Sequence, residues 1–151
     1  MIITDTHTHL YSEQFDDDRV EVIERALAAG VTRFFIPAID SSYTNAMYAL
    51  EASYPNHMFL MTGVHPCHVK ADYLEELAHV KEQLNSREFV AIGEIGIDLY
   101  WDQSTLKPQQ EMFRLQIQLA KQYKLPIVIH CRDAFDEVFQ VLEEEKGPEL
   151  F

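Results

Sequence analysis

FVAIGEIGID, residues 89–98, is a nearly continuous apolar run that contains a single carboxylate before its last residue, Glu94. A run of this kind is typical of a strand that is covered on both faces of a parallel sheet. A carboxylate inside such a strand is costly to bury unless it is paired or ligates a metal, although it could also have left the strand for solvent. The glycines around it, Gly93 and Gly96, allow another backbone segment to approach closely. The sequence therefore predicts a buried strand whose carboxyl end presents Glu94.

Four further apolar runs lie before and after this one, and amphipathic stretches separate them. The runs are Ile2-Ile3, Arg33 to Ile39, Met58 to Val64 and Pro126 to His130. The stretches between them have helical spacing and helix-end residues, such as Gly30 after the first and Pro108 in the first turn of the fourth. Five strands that alternate with five helices predict right-handed parallel βαβ units. Both an open doubly wound sheet and a (β/α)8 barrel use such units, and the count alone does not choose between them.

The composition excludes several classes of protein. The chain has 151 residues, 47% of them hydrophobic and 25% charged, which is typical of a globular protein. Its net charge of −13 argues against broad, non-specific coating of nucleic acid or of anionic membrane, but not against a local phosphate site beside a metal. No apolar run approaches the roughly 20 residues of a membrane helix, so we expect no membrane partner. Cys67 and Cys131 make no disulfide framework, and a cytoplasmic location is expected.

A second polar motif, Asp5-Thr6-His7-Thr8-His9, follows the first apolar run. Strand alternation would place Asp5, His7 and His9 on one side. Imidazoles two residues apart at the carboxyl end of a strand can share one metal ion. The alternative is a surface turn that is rich in histidine and threonine. We expect the metal site, because histidines so near a buried strand are rarely without a role.

Two more strand ends carry histidine, since His130 closes the fifth strand and His65 follows the third. A lone histidine is as often a satisfied core residue as a ligand, but polar residues recur at four strand ends, where sites of parallel α/β folds assemble. Arg132 could hold a phosphate or form a salt bridge at the start of a helix. Tyr100 and Trp101 could stack on a base or pack within their own loop.

In their order and approximate spacing, the motifs DTHTHL, GVHP, GEIGID and IHCRDA resemble those of the TatD family of metal-dependent hydrolases. These are amidohydrolase-like (β/α)8 TIM barrels, and the resemblance covers the whole chain. GEIG[IL]D together with an N-terminal HxH is highly specific for the family. The resemblance implies a deoxyribonuclease that removes nucleotides from DNA ends in the 3'-5' direction. It also implies a dinuclear site of Zn, Mg or Mn ions and an activated water.

The resemblance assigns a role to each metal-competent side chain. His7 and His9 would hold one metal ion. Glu94 would bridge it to a second ion, which His130 also binds, so Glu94 is the carboxylate expected to be essential for catalysis. Asp5 would support the two N-terminal histidines without binding the metal itself.

The resemblance also implies that His65 and Arg132 face the substrate phosphate. The family's barrel continues through three more units, which supply another histidine ligand and an aspartate. This chain stops at Phe151, so we expect residues 1–151 to be one domain, the N-terminal portion of a longer hydrolase with about five of eight βα units. We then expect weaker occupancy of the second metal position, and self-association through the open edges of the first and fifth strands.

Two alternatives to a DNA hydrolase stay open. The same cation pair can hydrolyse small phosphate esters, amides or lactones, and HxH openings also occur in PHP-type phosphoesterases, although GEIGID favours the TatD family. The other alternative is a catalytically incomplete half-barrel that acts as an assembly or binding module. The missing ligands favour that module, and the four intact strand-end motifs oppose it.

Overall fold

The computed structural model describes residues 2–150, which form five parallel strands and five helices in alternation. The strands are β1 (Ile3–Asp5), β2 (Val31–Ile36), β3 (Met58–Leu60), β4 (Ile92–Asp98) and β5 (Ile127–Arg132). The helices are α1 (Arg19–Ala28), α2 (Thr44–Ser53), α3 (Tyr73–Ser86), α4 (Leu106–Tyr123) and α5 (Phe135–Glu145). The mixed α/β fold with parallel strands is as predicted. Within residues 2–150, the helices all lack the combination of length and apolar character that crossing a bilayer requires.

The strands lie side by side in the order in which they occur in the chain. β1, β2 and β3 pair in one sheet, and β4 pairs with β5 in another. A parallel bridge between Thr62 and Ile92 joins the two sheets, and the Gly93 amide donates to the Thr62 carbonyl at 2.9 Å. Because all strands run in the same direction, their carboxyl ends meet at one edge, where the predicted site residues lie.

Several strand bounds differ from the predicted ones, and three of these differences bear on the site. β4 begins at Ile92, three residues later than expected, and continues to Asp98, so Glu94 lies inside the strand. β3 ends at Leu60, after which Thr62 makes only the isolated bridge to β4. β1 ends at Asp5, so strand alternation does not place the two following histidines, which lie in the loop after it. Hydrogen bonding to neighbouring strands, more than apolar composition, sets these bounds.

Two buried glutamines on α4 hold the segment after β3 and the end of β4 in place. Gln109 accepts from the Asp98 amide at 2.7 Å and donates to the Asp98 carbonyl at 3.0 Å. Gln116 accepts from the Val64 amide at 2.7 Å and donates to the Val64 carbonyl at 3.3 Å. Each side chain therefore satisfies both backbone groups of one residue in a region that water does not reach. The helix fixes the positions from which the site residues project.

β4 and β5 approach each other closely at Gly96. This residue has a φ of +145°, and a Cβ atom built on it would lie 2.0 Å from the His130 carbonyl oxygen. Only glycine accommodates both the backbone conformation and the contact. The close approach brings β5, with His130, beside the carboxylates of β4.

Candidate metal centre

Glu94 lies at the centre of the site, and its side chain is only 10% exposed. Its Oε2 atom is 3.1 Å from His7 Nε2 and 3.6 Å from His9 Nε2. Its Oε1 atom is 3.0 Å from His130 Nδ1. The two carboxylate oxygens therefore face histidines from opposite ends of the chain, with the loop after β1 on one side and β5 on the other.

The Glu94 carboxylate is ionised in this environment. Burial raises its pKa, but the hydrogen bond from His130 and the nearby rings of His9, His65 and His7 lower it more, so the pKa is well below its usual value. A buried anion surrounded by imidazoles is a strong attractor for a cation.

Tyr11 fixes the orientation of the His9 ring. The Tyr11 hydroxyl is buried and donates to the Pro37 carbonyl at 2.8 Å, so its oxygen accepts from His9 Nδ1, which is also 2.8 Å away. The proton of a neutral His9 is then on Nδ1, and the lone pair of Nε2 points towards Glu94. Sequence reasoning missed Tyr11, although its position two residues after His9 continues the alternation of the N-terminal motif.

The donor set of His7, His9 and Glu94 fits a divalent cation. One ligand atom from each residue lies within 4.8 Å of the others. Two imidazoles and a carboxylate are an ordinary ligand set for Zn, Mn and related divalent ions. The Asp5 side chain contacts the backbone of the loop, because its Oδ1 atom accepts a hydrogen bond from the His7 amide at 3.1 Å. It supports the position of His7 without contacting the imidazole in the described hydrogen bonds.

His130 lies between two carboxylates of β4. In addition to the contact with Glu94, its Nε2 is 2.8 Å from Asp98 Oδ2. Burial lowers the His130 pKa, but its hydrogen bonds to Glu94 and Asp98 raise it more, so the net shift is upward. Sequence reasoning did not give Asp98 a role, although Glu94, Gly96 and Asp98 share one face of β4 at strand period two.

His65 approaches the same centre from the loop after β3. Its Nδ1 accepts from the Cys67 amide at 3.2 Å, and its Nε2 is 3.1 Å from His130 Nδ1 and 3.9 Å from Glu94 Oε2. Burial, followed by the charge of His130, lowers the His65 pKa to about 4, so the ring is neutral at pH 7 and carries its proton on Nε2. Together with Cys67 and His130 it forms a second group of potential ligands within 4.8 Å.

Arg132 ends β5 at the rim of the site. Its guanidinium carbon lies 3.6 Å from the centre of the Tyr100 ring and 5.5 Å from that of Trp101. Within residues 2–150 it forms no ion pair with a carboxylate. The structure therefore brings five of the predicted residues, His7, His9, His65, Glu94 and His130, around one point, whereas Arg132 stacks on aromatic rings beside them.

A family model described as TatD related DNase matches residues 4–150. The chain belongs to this TatD family. Its residues around Glu94 are those on which the sequence resemblance rests, and the geometry brings them together.

Among the curated relatives, the metal-dependent hydrolase YabD of Bacillus subtilis, itself uncharacterised, is 43% identical over 145 residues. That match covers 95% of this chain and 56% of YabD. The 3'-5' ssDNA/RNA exonuclease TatD of Erwinia billingiae is 34% identical over 140 residues, which are 91% of this chain and 53% of that enzyme. The chain thus spans about half the length of the TatD-family relatives it matches.

Two solved structures share the fold. The TatD homologue YjjV of Escherichia coli K12 superposes with a TM-score of 0.80 at 31% identity, over 95% of this chain and 56% of YjjV. An uncharacterised amidohydrolase of Saccharomyces cerevisiae gives a TM-score of 0.81 at 21% identity, over 95% of this chain and 52% of that one. The second likeness concerns the fold alone.

Proposed function

We propose that this chain is part of a metal-dependent phosphodiesterase that removes nucleotides from the 3' end of single-stranded DNA. The observation that carries the proposal is that the two oxygens of the Glu94 carboxylate face different histidines. Oε2 faces His7 and His9, and Oε1 faces His130. A carboxylate shared in this way is suited to bridge two cations. The similarity to a 3'-5' ssDNA/RNA exonuclease supports nucleic acid as the substrate.

The proposed cofactors are two divalent ions of Zn, Mg or Mn. His7, His9 and Glu94 would hold the first, and Glu94 with His130 would hold the second. The donor set supports the first position more strongly, because three donor atoms converge there. Both nitrogens of His130 already contact carboxylates, which supports weaker occupancy of the second position.

The residues of this chain would bind the substrate phosphate and orient it. Divalent ions at this site would supply Lewis-acid chemistry, which polarises a phosphodiester and acidifies water. The Nε2–H group of neutral His65 is a hydrogen-bond donor for a phosphate oxygen. Arg132 is a cation without a carboxylate partner in the described chain and would offset the charge of the same phosphate.

We further propose that residues 1–151 form one domain, the N-terminal portion of a (β/α)8 barrel with five of its eight units. The parallel strand order and the half-length match to the relatives support this assignment. Ile3 on β1 and Ile129 on β5 are 40% and 38% exposed, so these two strands are the surfaces through which self-association of the chain is proposed. The free thiols of Cys67 and Cys131 support the cytoplasm as the compartment.

The test is nucleotide release from a single-stranded DNA decamer that is labelled at either the 5' or the 3' end. We expect shortening from the 3' end with Mg²⁺ or Mn²⁺ and none with a chelator. Glu94→Gln should lower the rate more than about 100-fold, because it removes a charge that both metal positions need. Glu75→Gln, a matched change at an exposed position of α3, should leave the rate unchanged. Release that survives the chelator or Glu94→Gln would contradict the proposal.

A further inference from the structure

A groove of about 440 Å³ lies beside the metal centre, between the turn after β3 and the segment after β4. Cys67 and Lys70 line one side, and Asp98, Trp101 and Asp102 line the other. Its size is within the range of small-molecule sites, which begins at about 300 Å³. Asp98 connects the groove to the metal centre, since its Oδ2 atom contacts His130.

Two aromatic side chains at this groove are exposed without an apolar cover. Trp101 is 72% exposed and Tyr100 is 52% exposed. Their rings meet edge to face with 4.8 Å between centroids, and the Arg132 guanidinium lies over Tyr100. Flat aromatic faces that are open to solvent are the surfaces on which nucleobases stack.

The position of these rings is tied to the metal centre through Asp98. Its Oδ1 atom accepts from the Tyr100 amide at 3.0 Å and from the Trp101 amide at 3.4 Å, while Oδ2 contacts His130. One buried carboxylate therefore orients both the histidine of the site and the backbone that carries the aromatic pair. A strand whose phosphate is at the metal centre would have an adjacent base within reach of Trp101.

The charges around the groove also suit a nucleic-acid strand. Lys70 lines the groove and Arg132 stacks beside it, in a chain with a net charge of −13. The Asp102 carboxylate is occupied, because it accepts from the Ser104 amide at 2.8 Å and from the Ser104 hydroxyl at 2.6 Å. Two cations are thus available for phosphates at the place where the aromatic rings are exposed.

We propose that this groove is a nucleobase subsite in which Trp101 stacks on a base of single-stranded nucleic acid and Arg132 holds Tyr100 against the indole. The inference rests on the proposed function for the identity of the ligand. Stacking on an aromatic face does not depend on the identity of the base, so the subsite would accept all four.

Trp101 is the single tryptophan of the chain, so its fluorescence reports on this groove alone. The protein is titrated at low ionic strength and in chelator with a dT decamer and with an abasic decamer that has the same number of phosphates. We expect the dT decamer to quench Trp101 and the abasic decamer to leave it unquenched. No quenching by the dT decamer, or equal quenching by both, would overturn the inference.

Affinities of variants are then measured by fluorescence anisotropy of the labelled decamers. Trp101→Ala should weaken binding of the dT decamer about tenfold and reduce the dT-to-abasic affinity ratio to near one, whereas Trp101→Phe keeps a ring and should retain most of that ratio. Phe139→Ala removes another exposed aromatic, on α5 and outside the groove, and should change neither affinity. An unchanged ratio in Trp101→Ala would overturn the inference.

The outcome is separable from that of the proposed function. DNA hydrolysis without base-dependent quenching would leave the phosphodiesterase proposal standing and remove the stacking subsite. Base-dependent quenching without hydrolysis would establish the subsite and contradict the activity.

Discussion

β4 and β5 are neighbouring strands that pair along six positions, yet they differ in how far water reaches them. All seven residues of β4 are buried, whereas none of the six residues of β5 is. β4 lies between β3 and β5 and is covered by α4, which contributes fully buried side chains such as Met112 and Phe113. β5 has β4 on one side in the described chain and is covered by α5.

Because of this difference in burial, the two strands contribute different kinds of residue to the site. The buried strand carries the carboxylates Glu94 and Asp98, which stay charged because histidines and backbone amides surround them. The accessible strand carries His130, whose two ring nitrogens face those carboxylates, and Arg132, which lies at the rim of the site. Burial fixes the acids in place, and exposure leaves Arg132, which has no carboxylate partner in the described residues, open to a substrate.

The largest expected effect is at the contact between the two strands. Gly96→Ala would place a Cβ atom 2.0 Å from the His130 carbonyl oxygen and would force an L residue into a φ of +145°. We expect a loss of about 4 kcal/mol or more in the free energy of unfolding, enough to remove most of the stability of a small domain. Urea denaturation followed by circular dichroism measures it.

Gly147→Ala is the matched control, because the added Cβ would meet only the flexible side-chain end of Glu149. Gly147→Ala should shift the urea midpoint of unfolding little. If Gly96→Ala were as stable as Gly147→Ala, the close approach of β4 and β5 would be wrong.

The same side chain occurs on both strands in register, which allows a direct measurement of the difference. Ile95 on β4 pairs with Ile129 on β5, and they are 0% and 38% exposed. Ile95→Ala should cost about 3 kcal/mol of unfolding free energy through lost burial and a cavity, and Ile129→Ala less than about 1 kcal/mol. Equal losses in denaturant titrations of the two variants would mean that the strands are equally covered.

A smaller loss of unfolding free energy is expected where α4 holds the segment that follows β3. Gln116→Leu keeps the approximate volume but leaves the Val64 amide and carbonyl without their partner in a buried region. We expect a cost of about 2 kcal/mol. Gln140→Leu, at an exposed position of α5, is the control for the change of residue type. A Gln116→Leu protein as stable as this control would show that the paired hydrogen bonds contribute nothing.

Apolar periodicity predicted the alternation of strands and helices, because burial repeats along the chain at the spacing of each element. The predicted site residues His7, His9, His65, Glu94 and His130 were also identifiable, since polar groups recur there at the carboxyl ends of parallel strands, where sites of such folds assemble. Both predictions rest on residue types within short segments of the sequence. Neither prediction depends on how distant segments pack.

The sequence did not predict the partners that orient these residues. Tyr11, Gln109 and Gln116 act through hydrogen bonds to backbone or ring atoms, and the partner atoms of the two glutamines lie 11 and 52 positions away. A glutamine on an amphipathic helix has the same pattern whether it is solvated or buried. Only the packing of α4 on the sheet decides between the two, which is why these contacts were found in the structure alone.

The smallest expected effect concerns the outer layer that covers β5. Glu145 at the end of α5 accepts from Lys121 at 2.9 Å and from Gln118 at 3.0 Å, both on α4. Burial raises the Glu145 pKa, but these partners lower it more, so the folded-state pKa is below its usual value.

A carboxyl with a depressed pKa stabilises the fold above its unfolded pKa of about 4.3, and the contribution is lost as pH falls through the folded pKa. Glu145→Gln should therefore cost at most about 1 kcal/mol at pH 7, with the difference from the parent protein closing below about pH 4. Glu143→Gln, which affects an exposed ion pair between α5 and the following residue Lys146, should be indistinguishable from the parent in thermal melts at both pH values. A Glu145→Gln deficit that persisted at low pH would mean that packing of the side chain, and not its charge, holds α5 over the accessible strand.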